Sequence, residues 1–318
     1  MISYGSVALG LLAAYPSLTL GATYGVSDTF IGSGFYSGFS FQAISDPTHG
    51  RVQYVTQGDA QASNLTSSTG NSFVMRVDSK TTLGSGGAGR KSIRIQSNKQ
   101  WTTHVAVLDV RHVPQGCGTW PAFWETGANW PFGGELDIYE GVNDQGPNLS
   151  SLHTSQGCTM PASRAEKGTP TFNDCNVQNG ANGNQGCGVH GDSPRDFGPA
   201  FNNAGGGWYA AERTNNAISV WFWSRQDGSV PADVRNGASS INTSNWGTPT
   251  AFFPSTSCSI SSHFSPNNII INTSLCGDWA GSVYGSSGCP SSCENYVNTN
   301  PGAFANAYWD IAALRVYT

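Results

Sequence analysis

Short runs in which apolar and polar side chains alternate, each cut off by glycine, asparagine, serine or proline, set the architecture of this 318-residue chain. Ser92 to Ser97 (SIRIQS) sets Ile93 and Ile95 against Arg94 and Gln96. Thr103 to Val113, Ala217 to Ser224, Asn268 to Thr273 and Tyr308 to Tyr317 are β-branched or aromatic runs of the same kind. A period of two is the signature of a strand, and many strands joined by Gly-rich turns predict an all-β sandwich or barrel. Such folds reach 200–250 residues as one domain. No repeat, charge block or linker-like stretch divides the chain. The polar stretch from Gly157 to Phe201 carries three cysteines and is expected to be an insertion held by disulfides.

Composition narrows the class. Only 11% of residues are charged, while the chain has 40 glycines, 16 prolines and ten tryptophans. Long helical bundles need far more Ala, Glu, Lys and Leu. The aromatic content supplies a core, which excludes global disorder. A net charge of −5 gives no basic footprint for nucleic acid.

The first 21 residues carry no charged side chain, and VALGLLAA (Val7 to Ala14) is an apolar run too short to span a membrane. Residues 1–21 are expected to be a secretory signal peptide, and 22–318 a single catalytic domain. Eight cysteines, an even number, suit an oxidising compartment and up to four disulfides, with 105 possible connectivities. A zinc site would need a second pair at ligand spacing beside Cys289 and Cys293, and none is present. Asn-X-Ser/Thr sequons start at Asn64, Asn148, Asn242 and Asn272, with Asn64 the expected glycosylation site. An extracellular monomer is expected, with no membrane, nucleic-acid, metal or cofactor partner.

Other motifs fall away. Gly84, Gly86 and Gly89 match GxGxxG, but a strand-like segment follows where a dinucleotide site needs a helix, so a flexible hairpin loop is expected. Neither GxSxG nor HExxH occurs.

The chemistry lies in Gly-Gly-Glu-Leu-Asp-Ile-Tyr-Glu, where Glu135, Asp137 and Glu140 fall within six positions. Offsets of two and five share no helix face. On a strand, Glu135 and Asp137 share a face and Glu140 points away. One β-bulge shifts the phase and returns Glu140 to its neighbours, and bulges favour active sites. With each side chain leaning inward, backbones roughly 13 Å apart would bring the two Glu carboxyls within about 5 Å, the separation of a retaining glycosidase. Asp137 would then tune the protons of its neighbours. Trp120, Trp124 and Trp130 precede the acids closely and suit a sugar cleft, although a single Trp is more often core.

The bulged string Glu135-Leu-Asp137-Ile-Tyr-Glu140 resembles the signature of glycoside hydrolase family 16. VRHVPQGCGTWPAFWET, GGELDIYEGVND, SLHT, INTSNWGTPTAFFP, CGDWAG and FANAYWDIAALRVYT extend the resemblance, towards its secreted basidiomycete laminarinases. It implies a β-jelly-roll sandwich of two antiparallel sheets with a concave substrate cleft. It also implies endo-hydrolysis of β-1,3 and mixed 1,3;1,4 glucans with retention. By the same resemblance Glu135 is the nucleophile, Asp137 the assisting acid and Glu140 the acid/base. Arg94, Trp124, Trp130, His153 and Trp279 contact the sugar, and Trp120 is left to core packing. A transglycosylase sharing the intermediate and a non-catalytic glucan-binding lectin are the alternatives.

Overall fold

The computed structural model describes residues 22–318, so the expected signal peptide lies outside the described residues. Two large antiparallel sheets pack face to face as a jelly-roll sandwich. The cleft sheet runs, edge to edge, through Thr169–Pro170, Cys187–His190, Leu149–His153, Glu135–Glu140, Thr119–Thr126, Asn268–Leu275, Arg94–Ser97 and Phe39–Phe41. The outer sheet has the order Ser240–Asn242, Thr23–Phe30, Tyr308–Tyr317, His104–His112, Gly207–Arg213, Ala217–Ser224 and Ala251–Pro254. A hairpin, Thr66–Thr69 and Ser72–Arg76, joins it along Tyr308–Ile311.

Alternation decides what each face meets. Ile95, Phe123, Leu136, Leu152, Ile269 and Ile271 of the cleft sheet are buried against Leu108, Val110, Tyr209, Val220, Phe253 and Ile311 of the outer sheet. The opposite face of the outer sheet is apolar too. Trp208, Trp221 and Trp223 pack there with Val230, Val234 and Trp246 of the connection that crosses them. Tryptophan abundance therefore has two causes in this chain, and this cluster serves packing alone.

A buried charge cluster ties the sheets. Glu125 alternates with Trp124 and faces inward, where its Oε1 lies 2.7 Å from His104 Nε2 and its Oε2 3.8 Å from Arg213 Nη1. Burial raises the Glu125 carboxyl, but His104 and Arg213 outweigh it and hold the group below the usual range. Trp309, fully buried, reaches across from the outer sheet and donates to the Asn272 carbonyl at 3.3 Å. The back of the cleft is thus anchored through polar as well as apolar contacts.

Several expectations are corrected. The Gly84 to Gly89 segment is not a hairpin loop. The strand after it, Arg90–Ser92, runs parallel to Val52–Tyr54 and not antiparallel to the strand before it. Arg51 ties the segment down by donating to the carbonyls of Gly84 and Gly87, at 2.9 and 2.7 Å. A Cβ on Gly89 would meet the Val52 backbone at 2.5 Å, so the glycine serves close approach and not phosphate binding. SIRIQS is not one strand either: it divides at Ile93 between the small parallel sheet and the cleft sheet. The Gly157 to Phe201 stretch contributes the edge strand of the cleft sheet, Thr169–Pro170, and the strand next to it, Cys187–His190. Disulfides Cys175–Cys187 and Cys158–Cys258 hold it, and Cys117–Cys289 and Cys276–Cys293 pair the remaining cysteines. No helix among the described residues is long and apolar enough to cross a membrane.

Glu125→Ala leaves Arg213 buried without its counter-charge and His104 without its hydrogen-bond partner. It is expected to cost about 3–5 kcal/mol, the usual loss on breaking a buried ion pair, measured by urea denaturation. A loss under about 1 kcal/mol would show that hydrogen bonds to the backbone already suffice for the two side chains.

Candidate active site

The acid strand carries the irregularity its spacing demands. Asp137 lies opposite Trp124, and Glu140 lies opposite Ala122, with the register slipping between Asp137 and Tyr139. Leu136, Ile138 and Tyr139 are all fully buried in the core. Two consecutive core residues restore the phase, and Glu140 shares the cleft face with Glu135 and Asp137. On the other side Glu135 pairs with His153 and Asp137 with Ser151.

These neighbours crowd charge into a small volume. His153 Nε2 lies 3.0 Å from Asp137 Oδ2 and 3.9 Å from Glu135 Oε1. Ser151 Oγ–H donates to the same Asp137 oxygen at 2.9 Å. Trp120 Nε1–H donates to Glu140 Oε1 at 2.8 Å. Burial lifts the Glu135 carboxyl to about 7, with Asp137 adding to the lift and His153, Trp130 and Arg94 opposing it. Burial, then Asp137, also hold Glu140 well above the ordinary carboxylate range, against Trp120 and His153. Burial would lower the His153 imidazole, but its hydrogen bond to Asp137 and the charges of Glu135, Asp137 and Glu140 outweigh this and raise it to about 9. The surroundings therefore favour the charged form of His153 and the protonated form of Glu140. Ligand atoms of Glu135, Asp137 and His153 lie within 4.8 Å of one another.

Away from the acids the face continues as a polar and aromatic floor. The Arg94 guanidinium sits 4.8 Å from the centre of the Trp124 ring. Arg94 Nε–H donates to Gln42 Oε1 at 2.7 Å, and Trp124 Nε1–H to Asn272 Oδ1 at 2.8 Å. Asn272 Nδ2–H donates to the Tyr54 hydroxyl at 3.1 Å. Trp279 meets Trp120 edge to face, with ring centres 5.7 Å apart. Trp130 is 45% exposed, on the loop that leads into Glu135. Fixed donors, acceptors and ring faces beside paired carboxylates are what a sugar chain requires.

The fold and this arrangement match known proteins. A family model described as the XgeA-like, catalytic GH16 domain matches residues 39–317. The chain belongs to glycoside hydrolase family 16. Within the family it is similar to laminarinase 16A from Phanerochaete chrysosporium. The two are 59% identical with a TM-score of 0.92, over 93% of this chain and 100% of that one. A solved elongating GH16 β-1,3-glucosyltransferase is 38% identical, with a TM-score of 0.86 over 93% of this chain and 100% of that one. A probable endo-1,3(4)-β-glucanase of Aspergillus fumigatus is 40% identical over 100% of this chain and 49% of its own length. The chain thus spans about half of that relative.

All three acids, His153, Arg94 and Trp124 gather on one family 16 cleft face, and Trp279 flanks it through Trp120. Trp120 itself corrects the sequence reading. It is a partner of Glu140 and not core packing, and its spacing of four from Trp124 on one strand placed both on the same face. Asn272, Gln42 and Tyr54 were missed, because uncharged amides and phenols carry no signal without neighbours. Two sequons are spent on structure: Asn148 and Asn272 are buried, with their amides hydrogen-bonded. Asn64 is exposed.

The raised Glu140 group has a consequence for stability. It favours the fold fully below its unfolded value of 4.5, and that advantage is lost as pH rises through the folded value. Glu140→Gln should therefore gain on the wild type between pH 4 and pH 7, by about 1.4 kcal/mol per unit of displacement. Urea denaturation at both values tests this; parallel changes in the two proteins would contradict it.

Proposed function

We propose that the protein is a secreted, retaining endo-β-glucanase that cleaves β-1,3 and mixed 1,3;1,4 glucans. One observation carries the reading: a bulged strand sets two glutamates and an aspartate on one cleft face, where burial and Asp137 raise the terminal glutamate's carboxyl. The glucanase names of the relatives supply the substrate class. Four disulfides support an oxidising, extracellular location.

In this mechanism the Glu140 O–H gives its proton to the glycosidic oxygen as the C1–O bond breaks. The Glu135 carboxylate attacks C1 from the opposite face and forms an ester. The cleaved chain leaves and water replaces it. Glu140, now ionised, takes a proton from that water, whose oxygen bonds to C1 as the ester bond breaks. Two inversions give net retention. Glu135 must be anionic to attack, and His153 and Arg94 are the cations that assist it. Asp137, bridging His153 and Ser151, assists both glutamates. Its charge helps Glu140 keep its proton before attack. Trp124, Trp130 and Trp279 offer ring faces to the sugars, and Arg94 offers N–H donors to their hydroxyls.

A second reading keeps the same intermediate and exchanges water for a sugar acceptor. The 38% identical glucosyltransferase favours it. Product sizing on laminari-oligosaccharides separates the two: shorter products mean hydrolysis, longer ones transfer.

Glu135→Gln should lower turnover on laminarin by about 10³-fold or more with the fold intact. Near wild-type turnover in the variant would remove Glu135 from the nucleophile role, whereas absence of turnover in the wild type itself would favour a binding module. In the wild type, the first product seen by proton NMR should be the β-anomer; an initial α-anomer would mean inversion. Asp137→Asn removes a charge that raises Glu140. The alkaline limb of kcat/KM should therefore move to lower pH, along with a loss of rate. A limb that stays in place would detach Asp137 from the proton on Glu140.

A further inference from the structure

The bulge creates a problem on the side of the acid strand that faces Leu149–His153. Backbone pairing there runs through Glu135, Leu136 and Asp137 and then stops. The slip leaves the Ile138 carbonyl and the Glu140 N–H without strand partners, inside the protein. Unpaired buried backbone groups are costly. Asn148, 2% exposed, supplies both partners. Its Oδ1 accepts from Glu140 N–H at 2.9 Å, and its Nδ2–H donates to the Ile138 carbonyl at 3.1 Å. The side-chain amide does the work of a peptide group from the neighbouring strand. Ser150 Oγ–H adds a second donor to the Ile138 carbonyl at 3.0 Å. Asn148 is held in turn: its own N–H donates to Asp196 Oδ1 at 3.1 Å, and its carbonyl accepts from Gly191 N–H at 2.8 Å.

We propose that Asn148 is the positioning residue for Glu140, an amide clamp that fixes the bulge and so sets where the proton is delivered. The inference rests on the reading of Glu140 as acid/base. Glu140 is then held at two ends, its backbone by Asn148 and its carboxyl by Trp120. The residue types are specific. Aspartate would keep the acceptor and lose the N–H donor; alanine would lose both. The sequon at Asn148 is not a glycan site in the folded protein, because a glycan on Nδ2 would displace this clamp.

The test separates a displaced acid/base from a damaged fold or nucleophile. A 2,4-dinitrophenyl β-laminaribioside has a leaving group that departs as a phenolate and needs no proton. Its glycosyl-enzyme, however, still needs Glu140 to activate water. Azide needs no base: its nitrogen bonds to C1, the C1–O bond to Glu135 breaks, and the carboxylate is released with a β-glycosyl azide as product. Asn148→Ala should lower kcat on laminarin by about 100-fold, the scale of a 1 Å misplacement, with KM within a few-fold. Azide should restore most of the rate on the activated substrate and yield the glycosyl azide. Asn148→Asp, matched in size, should show the same pattern if the alanine variant fails to fold. Ser150→Ala should change the rate less than fivefold, because Asn148 still serves the Ile138 carbonyl.

Glu140→Ala is the control and should be restored by azide. If azide restores that control but neither Asn148 variant, the residue has only a structural role and the proposal fails. Wild-type kcat on laminarin in both Asn148 variants would also overturn it. If the control is not restored, the acid/base assignment itself is wrong, and the role of Asn148 falls with it.

Discussion

A strand has a side-chain period of two, and three acids at offsets of two and five cannot share a face under that period. Everything distinctive in the cleft follows from how the chain escapes this constraint. The slip between Asp137 and Tyr139 makes Ile138 and Tyr139 both core residues. Their burial helps drive the slip. Restoring strict alternation would turn either a large apolar side chain into the cleft or Glu140 into an apolar core, where an unpaired carboxylate is far more costly than a bulge. Hydrophobic burial on one face thus enforces the cluster of carboxyls on the other.

That cluster is electrostatically unfavourable by itself, and its surroundings show how the cost is contained. His153 and Arg94 bring positive charge to the Glu135 side, while the Trp120 N–H is aimed at Glu140. The compensation is unequal. Glu135 has two cations acting on it, whereas Glu140 has a neutral donor and a more distant imidazolium. Two chemically identical side chains on one strand thereby meet different surroundings, which is the asymmetry a nucleophile and an acid require.

Period and spacing made much of this readable without coordinates. The strands at Ala217–Ser224 and Tyr308–Tyr317 have the bounds their alternation predicts, and the bulge followed from the positions of three acids. What stayed hidden depended on contacts remote in the chain. Trp120 and Trp223 look alike in sequence, yet one donates to Glu140 and the other packs under a crossing connection, a difference set by which face of which sheet each occupies. The parallel partner of Arg90–Ser92 lies about forty residues upstream, beyond any local pattern. Asn148 was visible only as half of a sequon, a motif that is read by an enzyme acting on unfolded chain and carries no information about the fold.

The two ends of the acid strand are built differently, and this bears on their proposed roles. Glu135 sits where the strand is laddered on both sides, to Thr126 and to His153. Its position is fixed by backbone pairing, which point substitutions scarcely alter. Glu140 sits beyond the slip, laddered on one side only; on the other its backbone depends on the Asn148 side chain, while Trp120 of the laddered strand holds its carboxyl. A nucleophile has one target, the anomeric carbon, and a rigid ladder suits it. An acid/base serves two oxygens in turn, the departing one and that of water, and side-chain clamps allow its place to be set by a few residues independently of the sheet. Variation in hydrolysis against transfer within such a scaffold is therefore expected to concentrate around the clamped end, with the laddered end left unchanged.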